Sequence, residues 1–351
     1  MRISSLDGLR ALSITLVLLA HLSGTRNFLD SSVLGLYGNF GVRVFFVISG
    51  FLITTLLLKE RAKTGQISLK DFYVRRGLRI FPAAYAFILI IVMIYWASLS
   101  AANIATALTY TSNYYHAGSW ITGHLWSLSV EEQFYLLWPL ALVLFFPARL
   151  PIVLSVIASG PLFRYAFWRI WGFQGLEYPF PVVMDALAMG CLLAIVQPQI
   201  VRFKRILISP WFVVVPIATM LMPLASLYSN RFYQSIGLTI VHAGIALSVD
   251  HSIRKKYSFL NARPVIWIGV LSYSLYLWQQ IFLDRYSVTL ITSFPINLML
   301  ALACATASYY LVEKPCLALR SRIFVTPQPQ TAMLPQRLET DAISRAAATN
   351  S

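Results

Sequence analysis

The chain has 351 residues, of which 58% are hydrophobic and 12% charged, with a mean hydropathy of +0.68. Soluble domains carry about 25% charged residues, so this composition excludes an ordinary water-soluble fold and makes the lipid bilayer its main surroundings. The net charge of +15 does not point to nucleic acid, because the basic residues gather in short loops between apolar runs, as the positive-inside bias requires.

A membrane span needs roughly 20 mostly apolar residues. On that criterion and on loop charge, ten spans are expected, at 9–26, 37–58, 79–98, 127–147, 151–170, 181–197, 210–227, 234–250, 265–283 and 291–312. The expected fold class is an all-α, polytopic integral membrane bundle. The first span is expected to be retained rather than cleaved, since it carries Arg10 and His21 and lacks a small-residue cleavage site. These two residues are eleven apart, only ~20° past three full helical turns, so they share a face about 16 Å apart. Ionisable groups inside spans are costly and usually mark a functional pathway. A neutral imidazole there is a competent general base.

The segment from Lys59 to Arg79 holds seven Lys or Arg against two acids and is expected in the cytosol. Arg76 and Arg79 are i, i+3 neighbours at the start of the third span, and guanidinium groups suit bidentate phosphate recognition. The stretch from Ala101 to Gly123 is too polar and broken to span (Asn103, Thr109, Asn113, His116, Gly118). It is expected to be a re-entrant or interfacial segment on the outer face, lining a site. The next span opens with Gly123-His124-Leu125-Trp126-Ser127-Leu128-Ser129-Val130-Glu131-Glu132-Gln133. Here His124, Ser127 and Glu131 stand at i, i+3 and i+7 on one helical face. A carboxylate at 131 could fix the tautomer of an imidazole, as the acid of a catalytic triad does.

Asp185 opens the sixth span, suspect as a membrane acid but near an edge where water would reach it, and Tyr273, Tyr276 and Trp278 read as aromatic-belt residues. Further basic clusters, at Arg202/Lys204/Arg205 and Arg254/Lys255/Lys256/Arg263, are also expected in the cytosol. Cys191, Cys304 and Cys316 have neither disulfide-framework nor metal-site spacing. From Thr326 onward the chain turns to Pro, Gln, Thr, Ser and Ala, and residues 316–351 are expected to form a disordered cytosolic tail after a transmembrane domain over 1–315. The sequence contains no Walker loop, dinucleotide fingerprint, HExxH or G-x-S-x-G motif.

Several stretches resemble one family, the membrane-bound acyltransferase-3 proteins, which O-acylate cell-surface and secreted glycans. They are Ser5-Leu6-Asp7-Gly8-Leu9-Arg10-Ala11, Phe45-Phe46-Val47-Ile48-Ser49-Gly50-Phe51-Leu52-Ile53, Arg75-Arg76-Gly77-Leu78-Arg79, His124 to Tyr135, Ser272-Tyr273-Ser274-Leu275-Tyr276-Leu277-Trp278 and Tyr310-Leu311-Val312-Glu313-Lys314-Pro315. They keep the family's order along the chain. The resemblance implies that Arg10 and His21 form the family's Arg and His pair, that Arg76 and Arg79 form its R-x-x-R, and that Glu131 is its motif acid. It also matches Asn113 to an Asn before aromatic residues. Two departures stand out: Gln279 follows Trp278 where many members carry His, and Val183 and Met184 precede Asp185 where members often carry Arg. No extracytoplasmic hydrolase-like domain follows the last span in this sequence, so any acyl-carrier partner is expected to be a separate protein.

The expectation is therefore an O-acyltransferase in a bacterial plasma membrane, multi-pass, with both termini cytosolic. It would move an acyl group, acetyl above all, from cytosolic acyl-CoA to a hydroxyl of a cell-surface or secreted glycan. His21 would deprotonate the hydroxyl or carry the acyl group, and Glu131 would orient His21. The substrate- and acyl-CoA-binding set is Arg10, Arg76, Arg79, Asn113, His124, Trp126, Ser127 and Asp185. A thioester donor needs no bound cofactor or metal. Three rivals are O-acylation of a macrolide-like small molecule, a transporter whose Arg/His/Glu set relays protons and moves substrate without consuming acyl-CoA, and a structural membrane subunit without chemistry, which the shared face of Arg10 and His21 disfavours most.

Overall fold

The computed structural model describes residues 3–115, 119–172 and 178–323. Helices account for the whole regular structure of these residues, and they follow the expected order. The long ones are α1 (Ser4–Leu22), α2 (Ser32–Thr64) and α3 (Leu69–Tyr95). Two short helices, α4 (Ala101–Leu108) and α5 (Trp120–Gly123), precede α6 (Leu125–Leu144), α7 (Arg149–Trp171) and α8 (Phe180–Ile200). The remaining four are α9 (Pro210–Tyr228), α10 (Asn230–Lys255), α11 (Arg263–Phe282) and α12 (Ile296–Leu319). Among the described residues nine helices are long and apolar enough to cross a bilayer. The 20-residue α6 is the tenth of the expected set. Its Glu131, Glu132 and Gln133 lower its hydropathy and keep it out of those nine.

Among its described residues the broken segment has no helix long enough to cross. Its longest helix, α4, has 8 residues, which is about 12 Å against a hydrocarbon core of about 30 Å. His116 and Gly118 of that segment lie outside the described residues. By contrast α2 has 33 residues, about 50 Å of helix, so its last turns project well beyond one bilayer surface. The sequence explains both ends of α2. The Ser31 hydroxyl caps the start by accepting from the Leu34 amide, and Gly65 ends the helix in the left-handed region at φ 80°. The chain then turns straight into α3, whose cap is Ser68. At the other end of the protein the helix runs on past 315 to Ile323, and residues 324–351 of the expected tail lie outside the described residues.

α1, α2, α8 and α11 form the centre of the bundle, with α1 packed on α2 and α11, and α2 packed on α8. Lipid is as apolar as leucine, so close fit rather than water exclusion holds such helices together. At the α2–α8 crossing, a Cβ on Gly50 would collide with the Leu187 carbonyl, and one on Gly190 with the Val47 carbonyl. Only glycine permits that approach, which fixes the height of Ser49 in the bundle. Ile14, Val17, Phe46, Val47, Leu187, Leu271 and Leu275 are buried here, while α9 is peripheral, with Trp211, Val214, Ile217 and Leu221 exposed to lipid.

Candidate active site

The polar residues of the core form two levels along α1, one at each end of its Arg10–His21 face. At the first level, Arg10 of α1, Ser49 of α2, Arg76 and Arg79 of α3, Ser127 and Glu131 of α6, and Tyr273 and Tyr276 of α11 line a cavity of about 90 Å³. Three guanidinium groups against one carboxylate leave the lining with a formal charge of +2, an excess of cation where lipid surrounds the bundle. Glu131 accepts hydrogen bonds from the Ser49 hydroxyl (2.9 Å) and the Tyr135 hydroxyl (2.7 Å), and its carboxylate lies 4.0 Å from Arg76. The Arg76 guanidinium also sits 3.7 Å above the Tyr135 ring, and Arg10 stands 3.7 Å from Asp7. These contacts hold the arginine planes while leaving donor positions facing the cavity.

Arg76 and Arg79 also border a second, larger crevice of about 690 Å³ between the projecting end of α2 and the start of α3, lined by Glu60, Thr64, Asp71 and Arg75. Its walls are pinned by Glu60, which accepts from the Ser68 amide (2.9 Å) and pairs with Arg75 (3.2 Å). Small-molecule sites fall between ~300 and 1,000 Å³. This crevice is therefore of ligand size, and it opens at the basic-loop end of the bundle.

The second level contains His21. Its Nδ1 is 2.8 Å from Oε1 of Gln279, and a chain of amides fixes which atom donates. The Trp120 carbonyl can only accept, so the Gln280 nitrogen faces it (2.7 Å). The Gln280 oxygen then receives the Gln279 nitrogen (2.9 Å), which leaves the Gln279 oxygen to receive Nδ1–H of His21. Nε2 therefore carries the lone pair, and among the described residues no hydrogen bond occupies it. The Trp120 ring stands edge-on at 5.4 Å, and the Trp120 indole N–H donates to the Gln280 carbonyl (2.9 Å), so the short α5 is tied to α11 as one wall. Between the levels, the Tyr276 hydroxyl donates to the His124 carbonyl (2.9 Å) and shares a 2.6 Å hydrogen bond with Ser127.

Five of the ten residues expected at the site thus line one cavity: Arg10, Arg76, Arg79, Ser127 and Glu131. One expected pairing is corrected. Glu131 does not orient His21; it stands at the level of Arg10, about 16 Å along α1 from His21, and Gln279 orients the imidazole instead. The His124 ring packs between Phe87 and Tyr276 at 5.5 and 5.3 Å. Its two nitrogens have no hydrogen-bond partner among the described residues. Asn113 is buried in a reciprocal amide pair with Gln133 (3.2 and 2.9 Å), which ties the broken segment to α6. Trp126 packs on Phe46 and Tyr178. Neither lines the cavity.

Asp185 is also elsewhere. It is 0% exposed rather than at a wet edge. One carboxylate oxygen meets Arg164 at 2.9 Å, and the other accepts from Thr239 at 2.7 Å and lies 3.1 Å from His242. The guanidinium comes from α7, which answers the missing Arg before position 185. Ser49, Tyr135 and the pairing of Gln279 with His21 escaped sequence reasoning. A signal did exist for α11: Tyr273, Tyr276 and Gln280 repeat the i, i+3, i+7 spacing of His124, Ser127 and Glu131.

The model of the acyltransferase-3 family, described as an acyltransferase domain, matches residues 3–312. The chain belongs to this family. Among curated relatives, the O-acetyltransferase OatA of Staphylococcus aureus is 30% identical over an alignment covering 88% of this chain and 56% of that protein. The peptidoglycan O-acetyltransferase OatA of Listeria monocytogenes and the putative peptidoglycan O-acetyltransferase YrhL of Bacillus subtilis are each 28% identical, with 89% of this chain and 54% of theirs covered. The chain spans about half the length of these relatives. No solved structure matches it. With bacterial relatives and nine membrane-length apolar helices among its described residues, this acyltransferase-family chain is a bacterial membrane protein.

The amide chain makes a specific prediction. Gln279→Leu removes the acceptor that holds Nδ1–H and frees the imidazole to turn or take its other tautomer. A hydrogen bond to a charged group contributes about 1.5–3 kcal/mol, so we expect kcat for acyl transfer to fall by roughly tenfold or more with KM for the donor unchanged. Gln279→His, whose ring nitrogen can accept the same bond, should restore activity.

Proposed function

We propose that this protein O-acetylates a cell-surface or secreted glycan, taking the acetyl group from cytosolic acetyl-CoA. The relatives' names favour peptidoglycan as the glycan class. The observation that carries the reading is the two-level arrangement on one face of α1: an arginine-rich cavity joined to a ligand-sized crevice at one end, and an oriented imidazole at the other.

In this reading the basic loops and both termini are cytosolic, and the crevice beside Arg75 admits the nucleotide part of the donor. Arg10, Arg76 and Arg79 hold its phosphates, since planar guanidinium forks match phosphate oxygens. The pantetheine arm extends along α1 past Ser127 and Tyr276, bringing the thioester to His21. Nε2 of His21 takes the proton of the acceptor hydroxyl as its oxygen bonds to the thioester carbonyl carbon. Collapse of that adduct breaks the carbon–sulfur bond, and the protonated imidazole returns the proton to the departing thiolate. Glu131 balances the arginines and keeps Arg76 in place.

The donor half is tested by substitution of the guanidinium groups. Arg76→Lys together with Arg79→Lys keeps the positive-inside signal but loses the planar forks. Hydrogen bonds to charged groups contribute about 1.5–3 kcal/mol, so KM for acetyl-CoA should rise by roughly tenfold or more, with membrane topology unchanged. Full activity of the double variant at limiting acetyl-CoA would reduce these arginines to topology signals.

A further inference from the structure

A separate cavity, lined on α1 by Leu9, Leu12, Ser13, Thr15 and Leu16 rather than by Arg10 or His21, has no part in the proposed chemistry. It measures about 420 Å³ and runs between α1, α9 and α10, with Leu12, Thr15, Ile217, Ser248 and Tyr257 along its walls. On α1 it extends from Leu9 to Leu16, on α9 from Val213 to Met220, and on α10 from Ile245 to Ser252. Each stretch rises about 10 Å, and together they form one continuous trough within a single leaflet of a ~30 Å core. Leu12 (45%), Ile217 (52%) and Met220 (45%) are exposed along its rim, so the trough opens sideways into lipid.

What distinguishes it from an ordinary lipid-facing groove is its mouth. His251 at the end of α10 bridges two loops, with one ring nitrogen 2.7 Å from the Tyr257 hydroxyl and the other 2.5 Å from the Leu207 carbonyl. That staple holds the segments 201–209 and 254–263 together at the trough's end. Between them these segments carry seven Lys or Arg and no Asp or Glu. Arg254 is committed to Asp250 (2.5 Å), whereas Lys204, Arg205, Lys255 and Lys256 are exposed. Lys256 directly precedes Tyr257, a wall residue, and Arg205 lies two residues before Leu207.

We propose that this trough binds one anionic phospholipid of the leaflet on the basic-loop side, with an acyl chain between α1, α9 and α10 and the phosphate head among Lys204, Arg205, Lys255 and Lys256. Basic pockets between transmembrane helices hold anionic head groups, each cation near the surface contributing about 1 kcal/mol, or roughly fivefold. Positive-inside topology alone needs basic residues in these loops, but it needs neither the trough nor the staple that closes on them. The lipid would brace α9, the helix with the least protein around it, against α1 at the level of Arg10.

The full chain, eluted in mild detergent with equal amounts of phosphatidylglycerol and phosphatidylcholine, is examined by native mass spectrometry. We expect retained phosphatidylglycerol to exceed phosphatidylcholine by about tenfold or more. Lys255→Gln with Lys256→Gln should abolish that preference while leaving some lipid of both kinds. Thr15→Phe fills the trough from an exposed position and should reduce retention of both lipids; Ile217→Trp serves the same end from α9 should the first variant not accumulate. Equal retention of the two lipids by the unaltered chain, or retention unaffected by either filling substitution, overturns the proposal. So does a dimer that Thr15→Phe converts to monomer, since a second copy would then be the occupant.

Discussion

Replacing His21 with Ala is expected to abolish acyl transfer while membrane abundance stays near that of the unaltered protein. The expected loss is about 10²–10⁴-fold, the usual effect of removing a general base. The side chain has one strong contact, to Gln279, and is only partly buried, so its removal leaves a small polar gap and no stranded charge. The measurement is ester formation on a glycan acceptor, normalised to the amount of protein in the membrane. His21→Ala protein with near-normal turnover would remove the imidazole from the mechanism.

Asp185→Ala should do the opposite. Arg164 is 0% exposed in its side chain and rests on this carboxylate, and its other donors reach the Val182 and Ser235 carbonyls and Thr239. Removing one partner of a buried ion pair leaves an uncompensated charge and costs about 3–5 kcal/mol. Three helices, α7, α8 and α10, meet at this cluster, so the variant should accumulate poorly and melt at lower temperature, whereas Asp185→Asn, which keeps an oxygen to accept from Arg164 but not the charge, should fall between. Fluorescence-detected size exclusion of a tagged chain reports both quantities. Normal abundance with lost activity would instead return Asp185 to the substrate site.

The two variants separate what could be read in the sequence from what could not. Hydropathy and loop charge located the ten long helices of the described residues, because each must satisfy its own backbone in lipid and so carries its signal locally. The shared face of Arg10 and His21 was legible for the same reason: both lie on one helix of known pitch. Their partners were not. Gln279 lies 258 residues from His21, and Ser49 lies 82 from Glu131; only the packing of α1 on α11 and of α2 on α6 brings them together. A short-range rule that one acid orients one base pointed to Glu131, but at 1.5 Å per residue that acid is a cavity's length away. Asp185 looked like a wet edge residue because its cation, Arg164, sits on a different helix. The broken stretch before α6 was legible as non-spanning from its polarity, yet its contribution of Trp120 to the His21 wall depended on an indole reaching a backbone carbonyl on α11.

The most direct test of the whole account uses the purified chain in sealed vesicles, with radiolabelled acetyl-CoA on the side of the basic loops and a soluble glycan acceptor on the other. Labelled ester is expected on the acceptor, with an equal amount of free CoA on the donor side, and neither product with His21→Ala. Label that appears only when donor and acceptor share a side, or acceptor movement with no CoA released, would contradict it.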